Sequence, residues 1–487
     1  MSVADNGARS RMFIGGKWRD AASGATMPVM NPATEEVITA VPSAGQSDVN
    51  AAVAAAKAAL SGPWGTMSAR ERGALIWRMG ETLGERLDVV ARLETRQNGK
   101  PIVESRNIDV PAAVECLQYY AGWADKIHGE TIPVRGNYLV YTMREPVGVV
   151  AAIVPWNFPL LLLVWKVAPA LACGNTVVVK PASVTPLTAL ALAEVAQDAG
   201  LPPGVFNVIT GPGDSVGRML VEHPDIDKIA FTGSTDTGRD IMRGSADTLK
   251  RLTLELGGKS ANIVFADSDL EPAVRGALHG IFYGKGEVCG AGSRVLVEES
   301  IRDTFLERLS ARTSRLLPGD PMDPRTRLGA VSSQGQLEQN LRLIDSAIAE
   351  GATLRAGGQR VSGPNNRGFF MQPTVFADVT PAMTIAREEV FGPVLAVMTF
   401  RDTAEAVALA NDSNYGLAAG VWTRDIKKAH QMARQLKAGT VWINTYHAYD
   451  TGVPFGGYKQ SGFGRELGEH ALEHYSQVKS VWVDLGR

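Results

Sequence analysis

Three polar residues stand in local settings that suit covalent chemistry. Cys289 lies among small residues in YGKGEVCGAGSR, which leaves space for an incoming electrophile. Glu255 ends an apolar run in LTLELGGKS, and a carboxylate desolvated in an apolar cleft could act as a general base. Asn157 lies between the stiffening prolines of PWNFP, so its amide could be aimed at an oxyanion. The simpler interpretations are an inert buried thiol, a surface carboxylate at a strand end, and an amide that stabilises its own turn.

Two segments are candidates for phosphate binding, although no G-x-G-x-x-G fingerprint follows the first strand of the alternating region. They are FTGSTDTG (residues 231–238) and GPGDSVG (residues 211–217), each between a predicted strand and a predicted helix. Free N–H groups at a helix start favour an anion, and an ordinary capped turn is the alternative. Lys180, in VVVKPAS, ends a strand at the same predicted edge of the sheet, where the alternative is a solvated lysine.

The elements that must position these residues alternate between strand and helix patterns. Helices are predicted at 48–60, 70–87 and 88–98, before the alternation begins. The predicted strands from residue 148 onward are GVVAAIV, NTVVVK, GVFNVIT, DKIAFTG and RLTLELGG, and the helices between them are LLLLVWKVAPALACG, TPLTALALAEVAQDAG, DSVGRMLVEH and DTGRDIMRGSA. This alternation predicts an α/β, doubly wound, Rossmann-like domain with a parallel sheet.

A second α/β alternation follows. Its predicted strands are ANIVFA, PTVFADV and VLAVMTF, and its predicted helices cover 299–316, 335–351, 402–412 and 426–436. The tail VKSVWVDL alternates like a strand and has no neighbouring strand in its own pattern. Such a strand often pairs with another subunit, which favours a homo-oligomer.

Composition restricts the class of protein. Of the 487 residues 45% are apolar and 21% charged, and the net charge of −2 gives no reason to expect a nucleic-acid or membrane partner. Prolines, Asn157 and Lys166 interrupt the apolar stretch 147–171, which argues against a membrane span. Three cysteines and an N-terminus without a signal-type apolar core predict a cytoplasmic protein, and no metal site is predicted.

Seven motifs occur in a fixed order: PWNFP, KPAS, FTGST, ELGGKS, GEVCGAGSR, EEVFGPV and PFGGYKQSG, with YYAGWADKIHGETIP as a further match. From about residue 13 to the C-terminus the chain resembles the aldehyde dehydrogenase superfamily, specifically its hydrolytic branch around retinal, mitochondrial and betaine aldehyde dehydrogenases. The resemblance implies an NAD(P)-binding domain (1–127 and 148–257), an α/β catalytic domain (258–457), and a small β oligomerisation domain (128–147 and 474–487). It also implies a homodimer or homotetramer.

The resemblance further implies that an aldehyde is oxidised to its acid with NAD or NADP. Cys289 would attack the aldehyde, Asn157 and the Cys289 N–H would hold the oxyanion, and Glu255 would activate the hydrolytic water. Lys166 and Glu466 match positions that relay protons near that base. The positions matched to cofactor binding are Ile153, Pro155, Trp156, Lys180, Ser183, Gly213, Phe231, Gly233, Ser234, Gln336, Glu389 (at the nicotinamide ribose) and Phe391.

The same resemblance implies an apolar and aromatic substrate entrance, lined by Phe158, Leu161, Leu162, Trp165, Val288, His447, Tyr449 and Phe455. For His447 the alternative is a rim residue that points to solvent. No Arg or Lys suits a carboxylate-bearing aldehyde, so the expected substrates are apolar aliphatic or aromatic aldehydes.

Two residues depart from the family pattern. Glu287 replaces the usual Gln two residues before Cys289, and its carboxylate would raise the pKa of the thiol if it faced that group. Ser183 replaces a Glu that grips the adenosine ribose in many NAD-specific members, which opens the site to NADP. Two alternative functions are a CoA-acylating dehydrogenase, which would lack the base Glu255, and a non-catalytic structural relative, which would not need to keep all three reactive residues.

Overall fold

The computed structural model describes residues 10–363 and 366–486. An eight-stranded sheet runs in the order Lys17–Arg19, Met12–Ile14, Phe206–Val208, Thr176–Lys180, Val149–Ile153, Lys228–Thr232, Arg251–Glu255 and Gly462–Phe463. The five strands from Phe206–Val208 to Arg251–Glu255 are parallel. The chain builds outward from Val149–Ile153 first to one side and then to the other. Ligands of doubly wound sheets bind at such a switch point, outside the carboxyl ends of the strands.

Helices cover both faces of this sheet, which explains why its central strands are almost wholly apolar. They are Gln46–Leu60, Pro63–Thr66, Ala69–Glu85, Leu87–Asn98, Ile102–Glu104, Val110–Trp123, Pro159–Ala172, Leu187–Asp198, Arg218–Glu222 and Thr235–Gly244. Wide π turns precede two of them, at Ser105–Asp109 and Gly213–Gly217. Every residue of Pro159–Ala172 is buried within the protein. None of the helices described is both long and apolar enough to cross a membrane.

The second sheet has seven strands in the order Thr353–Ala356, Thr374–Ala377, Val394–Phe400, Arg294–Glu298, Ala261–Val264, Ala418–Trp422 and Thr440–Ile443. Its helices are Leu270–Phe282, Arg302–Thr313, Gln334–Ala349, Thr384–Arg387, Thr403–Asn411 and Ile426–Gln435. The short helix His470–Tyr475, near the C-terminus, packs instead against Pro159–Ala172. The predicted mixed α/β fold is confirmed. The sequence interpretation missed the helix Leu270–Phe282 and the strands Arg294–Glu298, Ala418–Trp422 and Thr440–Ile443.

The C-terminal strand has a partner within its own chain. Ser476–Asp484 pairs antiparallel with Tyr138–Pro146 in an unbroken register from Ser476↔Pro146 to Asp484↔Tyr138. The tail thus has a neighbouring strand in its own chain, within the segment 128–147 that the family resemblance grouped with it. Its partner lies more than 300 residues earlier in the sequence, so no local pattern revealed the pairing. The ribbon exposes large apolar side chains, namely Tyr138, Leu139, Met143, Val478, Trp482 and Val483.

Smaller elements complete the fold. The remaining paired strands are Thr26–Asn31 with Glu36–Pro42, Arg360–Val361 with Phe370–Met371, and Tyr415–Gly416 with Tyr458–Lys459. Short 3-10 turns occur at Ala124–Lys126, Ala246–Thr248, Tyr283–Gly286 and Glu299–Ile301. The expectation of no signal peptide concerns mainly residues 1–9, which lie outside the described residues.

Candidate active site

The carboxyl ends of four parallel strands bring predicted site residues to one edge of the first sheet. Ile153 is level with Lys180 on one neighbouring strand and with Phe231 on the other. Glu255 lies one strand beyond Phe231 and is level with Thr232, the residue after Phe231. Parallel pairing forces this arrangement, because all the strands run the same way and end at the same edge. Residues spread over a hundred positions of sequence therefore meet at the switch point.

Glu255 is a buried carboxylate at this edge, not a surface residue, since only 4% of it is exposed. In the described part of the chain neither carboxylate oxygen has a hydrogen-bond partner of good geometry, although the Gly457 N–H lies close enough to lower its pKa slightly. Burial raises its pKa well above the usual range, and the nearby charge of Glu466 adds to the rise while Lys166 opposes it. Lys166 forms a buried ion pair with Glu466, and its Nζ donates to Thr232 Oγ1 at 2.6 Å. A carboxyl group in this setting suits proton transfer near neutral pH.

Two glycines after Glu255 allow three segments to approach closely. A Cβ on Gly257 would lie 2.2 Å from Glu389 Oε2, and one on Gly258 would lie 2.4 Å from the Cys289 carbonyl oxygen. The Gly258 N–H donates to Glu389 Oε1 at 2.8 Å. Burial raises the pKa of Glu389 to about 7. The ELGGKS motif thus packs directly against both the cysteine loop and the Glu389 segment.

Cys289 lines a cavity of about 260 Å³. Burial raises the pKa of its thiol above the ordinary range, and the nearby carboxylates of Glu255 and Glu389 raise it further. The backbone N–H of Gly290 acts in the opposite direction. In this state the sulfur is a neutral thiol at physiological pH, so attack on an electrophile requires a proton acceptor or an added positive charge.

Asn157 is buried, and its Nδ2 donates to the carbonyl oxygen of Glu287 at 2.9 Å. A side-chain amide has two N–H groups, and the second finds no acceptor among the residues described. The Glu287 side chain does not act on the thiol. Its Oε2 lies 2.7 Å from Lys285 Nζ, and its Oε1 accepts from the Ser332 N–H at 2.9 Å.

The cavity that reaches Cys289 gathers every residue predicted to line the substrate entrance, and Ala112 with them. Further lining residues that the sequence interpretation missed are Ile108, Glu115, His279, Tyr283, Asp450, Thr451 and Leu467. Tyr283 opens the motif YGKGEVCGAGSR, but the others belong to segments without a recognisable motif, where helix periodicity would have suggested at most Ile108 and Glu115. The wall is mainly aromatic and aliphatic, and no Lys or Arg of the described chain lines it.

His447 packs within an aromatic cluster and is not a free rim residue. Its ring is stacked on Tyr449 with centroids 6.0 Å apart and meets Tyr446 edge-on at 4.9 Å. Nε2 lies 3.1 Å from the Gly280 carbonyl oxygen. Burial lowers the pKa of His447 to about 3, and His279 nearby lowers it further, so the ring is neutral and acts as an aromatic wall.

The predicted cofactor residues lie on two sets of segments, one at the carboxyl edge of the first sheet and one around Glu389; the space between the two sets is called the cleft. Lys180 is 4% exposed, and burial lowers its pKa to about 8 against the opposing charge of Asp214. A Cβ on Gly213 would lie 3.7 Å from Lys180 Nζ, which places the KPAS and GPGDSVG turns side by side. Ser183 is partly exposed in the first of these turns. Lys180 is therefore not the solvated lysine of the alternative interpretation.

The helix Thr235–Gly244 begins with an exposed N-cap, Ser234, whose hydroxyl accepts from the Thr237 N–H at 3.2 Å. The preceding Gly233 is in close contact with Phe231, whose ring atom would lie 2.4 Å from a Cβ at that position. This is ordinary capping geometry, as the alternative interpretation had it. Its exposed helix start can also receive an anion.

Across the cleft, Trp156 meets Phe391 edge-to-face with centroids 5.1 Å apart, beside the partly exposed Pro155. Gln336 Nε2 donates to the carbonyl oxygens of Val390 at 3.0 Å and Phe391 at 3.2 Å, and thereby fixes the segment that carries Glu389. A buried lysine, an exposed helix start and a carboxylate along one cleft fit the ribose and phosphate groups of a dinucleotide. Among the residues described, no cluster of His, Cys, Asp or Glu could hold a metal.

Comparison with known proteins agrees with this geometry. The model of the "Aldehyde dehydrogenase family" matches residues 18–481. Mitochondrial aldehyde dehydrogenase of Rattus norvegicus is 48% identical over 97% of this chain and 91% of its own, and human retinal dehydrogenase 2 is 47% identical over 98% and 92%. The NAD+ complex of Bacillus cereus aldehyde dehydrogenase is 49% identical, with a TM-score of 0.96 over 98% of this chain and 96% of its own. The P. syringae indole-3-acetaldehyde dehydrogenase in complex with NAD+ and IAA is 43% identical, with a TM-score of 0.97 over 99% and 98%. The chain therefore belongs to the aldehyde dehydrogenase family.

Proposed function

We propose that this protein oxidises an aldehyde to the carboxylic acid with NAD+ or NADP+, through a thioester on Cys289 that water then hydrolyses. The observation that supports this most directly is the position of Cys289. Its thiol lines an apolar cavity, and the buried carboxylate Glu255 lies close enough to act on its pKa. A nucleophile, a base and a passage for an apolar electrophile are what thioester chemistry needs.

In the first step the Cys289 thiol loses its proton to water in the cavity, the sulfur bonds to the aldehyde carbon, and the carbonyl electron pair moves to oxygen. The second N–H of Asn157 and the backbone N–H of Cys289 hold this oxyanion. One such donor contributes roughly 3–4 kcal/mol to the transition state. A bound nicotinamide would supply a positive charge that lowers the pKa of the thiol, and would accept the hydride that converts the adduct to a thioester.

In the second step Glu255 takes a proton from water, and the water oxygen bonds to the thioester carbon. The carbon–sulfur bond breaks, the acid is released, and the sulfur leaves as a thiolate. The raised pKa of Glu255 suits it to accept that proton and release it again. Lys166 and Glu466, whose charges act on Glu255 from a buried ion pair, are proposed to relay the proton onward.

The proposed cofactor site follows the two sides of the cleft. Lys180 and Ser183 would contact the adenosine ribose, the helix start at Ser234 the pyrophosphate, and Glu389 the nicotinamide ribose. The remaining residues would form the walls, namely Ile153, Pro155, Trp156, Gly213, Phe231, Gly233, Gln336 and Phe391. Ser183 carries no charge that would repel a 2′-phosphate, so both NAD and NADP are proposed to bind.

The proposed substrate is an apolar aliphatic or aromatic aldehyde. The cavity wall carries Phe158, Trp165, Tyr449 and Phe455. Glu115, exposed in the same wall, would repel a carboxylate-bearing aldehyde.

Replacement of the nucleophile tests the proposal. Cys289→Ala should fold, bind NAD and lose aldehyde oxidation by several orders of magnitude, because loss of a nucleophile removes the covalent route. Retention of more than about a tenth of wild-type turnover would contradict it. Assays of an aldehyde panel with NAD and NADP, with and without CoA, would separate it from a CoA-acylating enzyme. An inactive wild type would favour a non-catalytic relative.

We further propose that the protein is a cytoplasmic homodimer or homotetramer. The exposed apolar side chains of the ribbon formed by Tyr138–Pro146 and Ser476–Asp484 support assembly. The three free cysteines are suited to a reducing compartment. Sedimentation should show a species of at least twice the 52.0 kDa chain mass. A stable monomer would rule out the assembly.

A further inference from the structure

A ring of buried hydrogen bonds connects the loop that carries Asn157 to the loop that carries Cys289. Lys285 Nζ donates to the Asn98 carbonyl oxygen at 2.8 Å and to its Oδ1 at 3.0 Å. Asn98 Nδ2 donates to the carbonyl oxygen of Trp156 at 2.7 Å, next to Asn157.

The ring closes through Glu287. Its carboxylate lies 2.7 Å from Lys285 Nζ, and its own carbonyl oxygen accepts from Asn157 Nδ2 at 2.9 Å. Asn98, Lys285 and Glu287 are each at most 1% exposed. We call this set the inter-loop ring; its members are Asn98, Asn157, Lys285, Glu287 and the Trp156 carbonyl.

The backbone at Lys285 shows that the ring constrains the cysteine loop. Lys285 has φ 65, between Gly284 at φ 58 and Gly286 at φ 75. A residue other than glycine is strained at a positive φ, and such a conformation persists where surrounding contacts hold it. A Cβ on Gly286 would lie 2.2 Å from the Gly392 carbonyl oxygen, so the turn is also packed against the segment after Glu389.

We propose that Lys285 and Glu287 are positioning residues that fix the Asn157 amide relative to Cys289, so that the oxyanion site is formed before substrate binds. This rests on the proposed roles of Asn157 and Cys289. Movement of the cysteine loop would break the buried contact of the charged Lys285 with Asn98. Movement of the other loop would break the buried hydrogen bonds of Asn98 to the Trp156 carbonyl and of Asn157 to the Glu287 carbonyl. A donor misplaced by about 1 Å can lower the rate a hundredfold.

The test compares three single variants. Lys285→Met removes the ammonium but keeps the unbranched stem of the side chain, and Glu287→Ala removes the carboxylate. Glu287→Gln keeps one oxygen, which can accept either from Lys285 or from the Ser332 N–H. We expect the first two to lower kcat about ten- to a hundredfold, and Glu287→Gln to stay within about threefold of wild type. KM for NAD should change little, because none of the three touches the proposed cofactor residues.

The alkylation rate of Cys289 with iodoacetamide separates positioning of Asn157 from a direct effect on the thiol. It should stay near the wild-type rate, because alkylation needs the thiolate but no oxyanion donor. Lys428→Met is the control for stability, since Lys428 Nζ pairs with Asp267 at 3.2 Å within the second sheet's domain and away from both loops. It should lower Tm without lowering kcat at temperatures below unfolding. If the single variants do not fold, the same assays are applied to the double variant Lys285→Gln/Glu287→Gln. This variant leaves neither partner of the buried ion pair as an unpaired charge, so its kcat should stay within about tenfold of wild type.

Three outcomes would overturn the inference while the proposed function stands. The first is a kcat within about threefold of wild type in both Lys285→Met and Glu287→Ala. The second is an alkylation rate that falls in parallel with kcat in these two variants. The third is a loss of kcat in Lys428→Met as large as the loss in these two variants. Loss of kcat by more than about a hundredfold in the double variant would equally overturn it. A wild type that oxidises no aldehyde would instead reject the proposed function, and this inference with it.

Discussion

Replacement of Glu255 by Gln separates the two halves of the proposed reaction. The substitution keeps shape and volume, and it leaves an oxygen that can still accept from the nearby Gly457 N–H. The amide cannot accept a proton from water. A general base contributes about 10²- to 10⁴-fold, so the steady-state rate should fall by that factor.

The first turnover should fall far less, because hydride transfer precedes the hydrolysis that Glu255 assists. Rapid mixing should therefore show a burst of NADH close to one per Cys289, followed by a slow steady state. Equal losses in the burst and the steady state would refute the division of labour. That result would place Glu255 before hydride transfer, as the group that takes the thiol proton.

The pH dependence of the same rate provides a second check with a defined sign. Burial and Glu466 raise the pKa of Glu255, and only the ionised form can accept a proton. The rate should therefore rise with pH through that pKa, and this limb should vanish in Glu255→Gln. Removal of the Glu466 charge in Glu466→Gln should move the limb to lower pH, and Lys166→Met should move it to higher pH.

The two shifts have opposite signs, so a general loss of stability cannot imitate them. Breaking the buried pair of Lys166 and Glu466 is expected to destabilise the fold by about 3–5 kcal/mol. The profiles must therefore be measured below the onset of unfolding of each variant. Shifts in the same direction would refute the electrostatic argument.

Three further predictions concern the cofactor and the oxyanion. Wild type should use NADP with a kcat/KM within about tenfold of that for NAD, a gap of about 1.4 kcal/mol, and Ser183→Glu should lower kcat/KM for NADP by more than this factor. An unchanged ratio of the two kcat/KM values would show that the turn does not recognise the 2′ position. Gly257→Ala should raise KM for NAD, because its Cβ would lie 2.2 Å from Glu389 Oε2, and an unaltered NAD titration would contradict that role of Glu389. Asn157→Ala should lower kcat about 10²- to 10³-fold without slowing alkylation of the nucleophile, and a smaller loss would argue that the amide does not hold the oxyanion.

The sequence by itself determined the fold class and the candidate chemistry. Strand and helix alternate in short apolar runs, and the period of each run is a local property that needs no partner. Parallel strands end at one edge, so the positions of Lys180 and Glu255 at strand ends already implied that they lie at the same edge of the sheet. The glycine setting of Cys289 likewise expresses a local requirement for space.

Only the tertiary structure decided where side chains point and which distant segments meet. The effect of Glu287 on the thiol depended on its direction, which Lys285 and the Ser332 N–H, 45 residues away, determine. His447 is a neutral part of the aromatic wall because five other rings pack around it. The C-terminal strand pairs with Tyr138–Pro146, more than 300 residues earlier in the chain. Such contacts join residues far apart in the chain. Their strength comes from burial and charge pairing that exist only after folding, so no local sequence pattern encodes them.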